Sequence, residues 1–304
     1  MNSRISSQTL KGIFPALATP VTADGQVDAG AVKALMAHLK GSGIRGAVPL
    51  GGTGEYGAAS RSERSRMVSL VREHLAADLP VIAGVLDPGF YDAMDAGKAL
   101  AAAGADALMV LTPYYTNPTQ QGIRDYFLRY ADESPLPVVI YEIPYRTRIA
   151  IAPEVLHELS RHENIIGMKA CNTDMYHFLK VVAGVASDFS VLSGEDTLLP
   201  VHMAAGAQGG IVVTANLIPR TWNALYQLLA QGRTQEALLM HRQLMPLMDL
   251  AFAETNPGPM KAVWDLIGVH APYLLAPLVT CNPDLAARLR KELQARLASE
   301  AQLN

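Results

Sequence analysis

Four residues carry types and spacings that suit carbonyl chemistry. Lys169 ends the short apolar run IIGMK (165–169), and Tyr141 ends PVVIY (137–141). Thr53 sits in the glycine-rich GGTGEYG (51–57), and Arg146 follows in YEIPYRT (141–147). A lysine at the end of a buried strand is partly desolvated, which disfavours its charged form. A neutral amine can attack a ketone and form a Schiff base, and the protonated imine then serves as an electron sink. Other roles stay open for Lys169: an ion pair with Glu142 or Glu195, without covalent chemistry. Tyr141 is either a proton shuttle or a core tyrosine with a satisfied hydroxyl. The glycines of 51–57 would let backbone N–H groups approach an anion, with Thr53 adding a hydroxyl. No lysine follows in the phosphate-loop pattern, so a carboxylate is the guest to expect, and a tight turn is the other reading. A guanidinium binds a carboxylate through two parallel hydrogen bonds, the role open to Arg146, whereas Arg148 reads as a solvated loop residue. The SGED segment (193–196) adds Gly194 and Glu195, and GGIVVT (209–214) adds Val212, as substrate-side candidates.

These residues need elements that bring them together. Eight short apolar runs rich in Val and Ile, at 13–19, 46–50, 80–85, 106–112, 137–143, 165–169, 190–194 and 209–214, alternate with helical patterns. Runs apolar on both faces are strands of a parallel sheet covered on both sides. Helical segments are expected at 27–40, 60–76, 92–103, 119–131, 153–161, 174–186 and, shorter, 196–205. Ser60 and Glu63 stand at capping-box spacing at the start of the second. Eight such units predict a (β/α)₈ barrel over residues 1–218, whose active site lies at the C-terminal ends of the strands. Residues 219–304 read as a helical extension, with segments at 222–231, 234–253, 257–267 and 284–300. A doubly wound sheet is the rival fold, but no G-x-G-x-x-G follows the first run.

Composition narrows the class. Half of the 304 residues are hydrophobic and 17% are charged, which suits a sizeable core. The formal charge of −3, without a basic run, argues against a nucleic-acid surface. Cys171 and Cys281 form no C-x-x-C pattern and suit a reducing, cytoplasmic setting. No apolar run reaches the ~18 residues that span a bilayer. The N-terminus lacks the apolar centre of a signal peptide. The eight histidines are dispersed, so no metal site is expected.

Together the segments resemble the dihydrodipicolinate synthase / N-acetylneuraminate lyase family of class I Schiff-base aldolases. The resemblance runs from FPALATPVTADGQVD (14–28) to ETNPGPMKAV (254–263), through GGTGE (51–55), LTPYYTNPTQ (111–120), IYEIPYRT (140–147) and GMKA (167–170). It implies a barrel with a C-terminal helical region, assembled as a homotetramer. It implies a Schiff base between Lys169 and pyruvate or another 2-oxo acid, with no cofactor. Tyr141 becomes the proton-transfer tyrosine. Thr53 and its neighbours become the carboxylate site. Tyr115 becomes the tyrosine that crosses a subunit interface. Arg146 matches the arginine that the synthase branch keeps for the carboxylate of its aldehyde, aspartate semialdehyde.

Some positions depart from that pattern. Gly52 replaces a threonine whose hydroxyl links the two tyrosines. Glu142 replaces an asparagine and Arg148 a glycine, changes expected in the second-substrate region. Gly52 motivates a second reading, dehydration of a 2-keto-3-deoxy sugar acid on the same lysine. A third, from another class, is a barrel that binds or regulates without turnover. Arginines in EYGAASRSERS (55–65), where lysine-regulated synthases carry histidines, and Pro88 in place of an asparagine imply no tight lysine inhibition.

Overall fold

The computed structural model describes residues 4–303. Seven parallel strands form one sheet: β1 (Gly12–Pro15), β2 (Ile82–Val85), β3 (Ala107–Leu111), β4 (Val138–Glu142), β5 (Ile165–Ala170), β6 (Ser190–Ser193) and β7 (Gly209–Val212). Their order is β1-β7-β6-β5-β4-β3-β2. Every residue of all seven strands is buried, as strands covered on both faces must be.

The eighth run, near 46–50, closes the gap between β1 and β2. On one edge Val48 N–H donates to Pro15 O (3.0 Å) and Leu17 N–H to Val48 O (2.9 Å). On the other, Ala47 N–H donates to Pro80 O (3.0 Å) and Ile82 N–H to Ala47 O (2.9 Å). Isolated parallel bridges result, Ala16 with Val48 and Ala47 with Val81, rather than a continuous ladder. Pro49 has no N–H to extend the ladder. The sheet therefore closes into the expected (β/α)₈ barrel.

The seven expected outer helices form between the strands, within a few residues of their expected ends. Ser60 caps the Arg61–His74 helix, accepting from Glu63 N–H at 3.3 Å. The reciprocal half of the capping box is absent, because Glu63 Oε2 accepts instead from Val27 N–H at 2.6 Å. That bond ties the Arg61–His74 helix to the start of the Ala29–Leu39 helix.

Helix Pro219–Ala230 packs against β1, with Trp222 fully buried and donating from Nε1 to Thr214 Oγ1 (2.9 Å). Beyond it come helices Thr234–Ala251, Gly258–Lys261 and Pro283–Glu300. The single helix expected over 257–267 splits: Gly258–Lys261 is α-helical and Trp264–Ile267 a 3₁₀ turn. The last helix is anchored at its end, where the Glu300 carboxylate accepts from Arg220 N–H (2.6 Å) and Thr221 N–H (2.7 Å). The segment joining Ala251 to Gly258 passes over the barrel mouth and brings Phe252 and Asn256 to the strand ends. Among the described residues no helix is long and apolar enough to cross a membrane.

Candidate active site

Tyr141 and Lys169 are register partners on β4 and β5. Parallel pairing at the same level sends both side chains to the same face, here the inside of the barrel mouth. The Lys169 side-chain nitrogen lies 4.6 Å from the centre of the Tyr141 ring. Both residues are buried, Lys169 at 4% exposure. Burial holds the Tyr141 hydroxyl well above its ordinary pKa, with Cys171 and Tyr145 adding to the effect, so it stays protonated at neutral pH. A buried amine over the ring of a tyrosine whose hydroxyl stays protonated brings a nucleophile and a proton donor into one cleft.

The cleft around Lys169 is narrow, and Thr53, Arg146, Gly194 and Glu195 line it with that lysine and Tyr141. Gly194 is there for want of space. A Cβ at this position would stand 2.1 Å from Cys171 Sγ and 2.9 Å from Lys169 Cε. Only glycine lets the lysine stem pass. Cys171 itself is a buried thiol, pushed up to about 12 by burial, and donates to Gly194 O at 3.4 Å.

Gly52 is a different case. A Cβ there would meet only the Arg146 guanidinium, 3.7 Å away, in ordinary contact. Thr53 is held in place by a partner that the sequence reading left unassigned: Asn256 Nδ2 donates to its hydroxyl at 2.8 Å. The loop behind it is fixed by Thr19, which donates to Gly54 O at 2.6 Å.

Glu195 is partly buried at the cleft wall, and its Oε1 has no hydrogen-bond partner among the described residues. Burial, helped by the neighbouring Asp196, pushes its carboxyl up to about 7, against the opposing pull of Lys169 and Arg146. Asp196 has a framework role: it accepts from Val213 N–H (2.8 Å), Thr214 N–H (2.7 Å) and Thr214 Oγ1 (2.6 Å).

Arg146 lies on a short helix, Pro144–Thr147, that the strand pattern did not reveal. Pro144 at its first position and Thr147 Oγ1, donating to Ile143 O (3.1 Å), set this turn. Its guanidinium borders two wider spaces. One, of 650 Å³, lies toward Glu195, Asp249 and Asn256, and the other, of 330 Å³, toward Gly52, Tyr114 and Leu278.

Four further residues lie outside this chain's own cleft. Arg148 is exposed in a left-handed conformation (φ 63°) and lines none of these spaces. Tyr115 is 92% exposed, on a loop outside this chain's own cleft. Val212 is buried in β7, and the lining residue is its neighbour Val213. Glu142, expected near the second substrate, points away from the cleft. Alternation along β4 sends it to the helix side, where Oε1 accepts from Ile151 N–H (3.0 Å) and faces His177 Nε2 at 3.4 Å. The residues that the sequence reading missed are Asn256 and Phe252. The first lies inside ETNPGPMK, a motif quoted without a role for any member.

The family model described as the dihydrodipicolinate synthetase family matches residues 9–296. The chain belongs to that family. It is 34% identical over 284 residues to the 4-hydroxy-tetrahydrodipicolinate synthase of Methanothrix thermoacetophila, covering 93% of this chain and 96% of the relative. The synthase of Haloarcula marismortui is 35% identical over 283 residues, with 93% and 92% covered. Among solved structures, the synthase of Methylacidiphilum fumariolicum superimposes with a TM-score of 0.91 at 30% identity, covering 97% of this chain and 99% of that one. The dihydrodipicolinate synthase of Aquifex aeolicus gives a TM-score of 0.90 at 31% identity, with 95% and 98% covered. A synthase of that name is a lyase, and these superpositions take in this chain's barrel together with its C-terminal helices.

Proposed function

We propose that this member of the dihydrodipicolinate synthetase family condenses pyruvate with an aldehyde through a Schiff base on Lys169, with aspartate semialdehyde as the partner. The observation that carries the reading is the buried Lys169 amine 4.6 Å from the Tyr141 ring centre, at matched strand ends. The amine adds to C2 of pyruvate, and Tyr141 delivers a proton to the carbinolamine oxygen. Water leaves and a protonated imine remains. That nitrogen is the electron sink, so no cofactor takes part. Tyr141, left without its proton, takes one from C3 to give the enamine, and it passes that proton to the aldehyde oxygen as the enamine carbon bonds to the aldehyde carbon. Water, or an amine of the product, then releases Lys169.

Thr53 and neighbouring N–H groups hold the pyruvate carboxylate. Arg146 holds the carboxylate of the aldehyde, and the 650 Å³ space beside it has room for that partner. Tyr115, exposed in the single chain, serves a neighbouring subunit of a homotetramer, and the enzyme works in the cytoplasm. The synthase name of the relatives supports condensation over sugar-acid dehydration, and over a barrel without turnover. Tight inhibition by lysine is not part of this reading: an assay with sub-millimolar lysine should leave the rate unchanged.

Borohydride reduction in the presence of pyruvate tests the central step. It should add one reduced pyruvyl group to the Lys169 peptide. A peptide that stays unmodified removes the reading. Incubation with pyruvate and aspartate semialdehyde, and separately with a 2-keto-3-deoxy sugar acid, separates condensation from dehydration by product mass.

A further inference from the structure

Asn256 reaches the cleft from the C-terminal region, 203 residues away from Thr53 in sequence. The residue is 7% exposed and lies where the Lys169 cleft meets the 650 Å³ space. The contact has a defined polarity. The Asn256 amide nitrogen donates, so the Thr53 oxygen accepts. Among the described residues no acceptor faces the Thr53 proton, although the residue is buried. A buried hydroxyl in that state has its proton left to donate to something in the cleft. Among the described residues the Asn256 Oδ1 atom has no partner either.

We propose that Asn256 is a positioning residue that sets the direction of the Thr53 hydroxyl. By occupying the oxygen from one side, it points the proton at an anionic oxygen in the cleft. The C-terminal region thereby tunes the affinity of the barrel for the 2-oxo acid. This rests on the reading that Thr53 binds the pyruvate carboxylate.

Borohydride trapping at Lys169 against pyruvate concentration reads this directly and needs no second substrate. Asn256→Asp reverses the polarity, because a carboxylate accepts the Thr53 proton and turns it away. The half-saturating pyruvate concentration should rise at least about tenfold, a loss on the scale of one hydrogen bond to a charged group. The extent of trapping at saturating pyruvate should hold. Asn256→Ala should raise it about threefold to tenfold, and adding Asn256→Ala to Thr53→Val should change nothing further. Thermal melting establishes that each variant is folded. If the Asp variant fails to fold, Asn256→Ser replaces it in the same cycle. Half-saturation unmoved in the folded variants, or shifts that multiply with Thr53→Val, overturns the proposal. Wild-type protein that cannot be trapped at all overturns the Schiff-base reading instead.

Discussion

Glu55 and Lys261 meet as an ion pair with both side chains sealed from solvent, although 206 residues separate them. Lys261 also donates to Tyr273 O (2.8 Å), and the second oxygen of Glu55 accepts from Leu275 N–H (2.7 Å). Glu55 holds a left-handed backbone conformation (φ 57°) two residues after Thr53. The pair thus clamps the carboxylate-side loop to the C-terminal region.

Removing one partner leaves a buried charge alone, which costs roughly 3–5 kcal/mol. Lys261→Met should lower the melting temperature sharply. Glu55→Gln with Lys261→Met should recover much of the loss, because no uncompensated charge remains. A single variant that melts with the wild type would show that the pair holds nothing in place.

Gly194→Ala should disturb the nucleophile itself. The new methyl would overlap Cys171 Sγ and press on the Lys169 stem. Overpacking of this kind costs about 1–3 kcal/mol. Displacing a reacting amine by about 1 Å costs on the order of 100-fold in rate. Stopped trapping with pyruvate and borohydride measures it. Cys171→Ala in the same chain removes the nearer obstacle but not the lysine stem, so rescue should be partial.

Glu195 gives stability a pH dependence of known sign. Its carboxyl is raised from 4.5 to about 7, first by burial and then by Asp196. Between those values the unfolded chain has lost the proton and the folded chain keeps it, so stability falls as pH rises from 4.5 to about 7. Above that the loss is complete. Glu195→Gln has no proton to lose, so its advantage over wild type should grow across that window. Melting temperatures at pH 5 and pH 8 provide the comparison. An equal difference at both would rule out the raised carboxyl.

Glu142→Ala should act on stability and not on substrate choice. It strands the buried Ile151 N–H, at about 1–3 kcal/mol, and removes the carboxylate that raises the His177 pKa. The half-saturating concentrations of both substrates should change less than about twofold, as expected of a side chain outside the cleft. A large shift in the aldehyde's alone would return Glu142 to the second-substrate region.

How much of this could be read from the residues differs from one to the next. The apolar runs and the helices between them follow from local periodicity, and a barrel then places Lys169 and Tyr141 at active strand ends. The same period of two, applied to β4, already sends Glu142 to the face opposite Tyr141. The short helix that carries Arg146 was hidden because one turn has too few residues to show a period.

By itself the sequence determined the alternation of strands and helices, and with it the pairing of a lysine with a tyrosine at one end of a barrel. Only the tertiary structure decided that Asn256 holds Thr53, that Lys261 neutralises Glu55 and that Gly194 yields its space to the lysine stem. Those contacts join residues that share no element, so no local periodicity or propensity carries them. They exist because the barrel closes and the C-terminal region carries its 252–257 segment across the mouth.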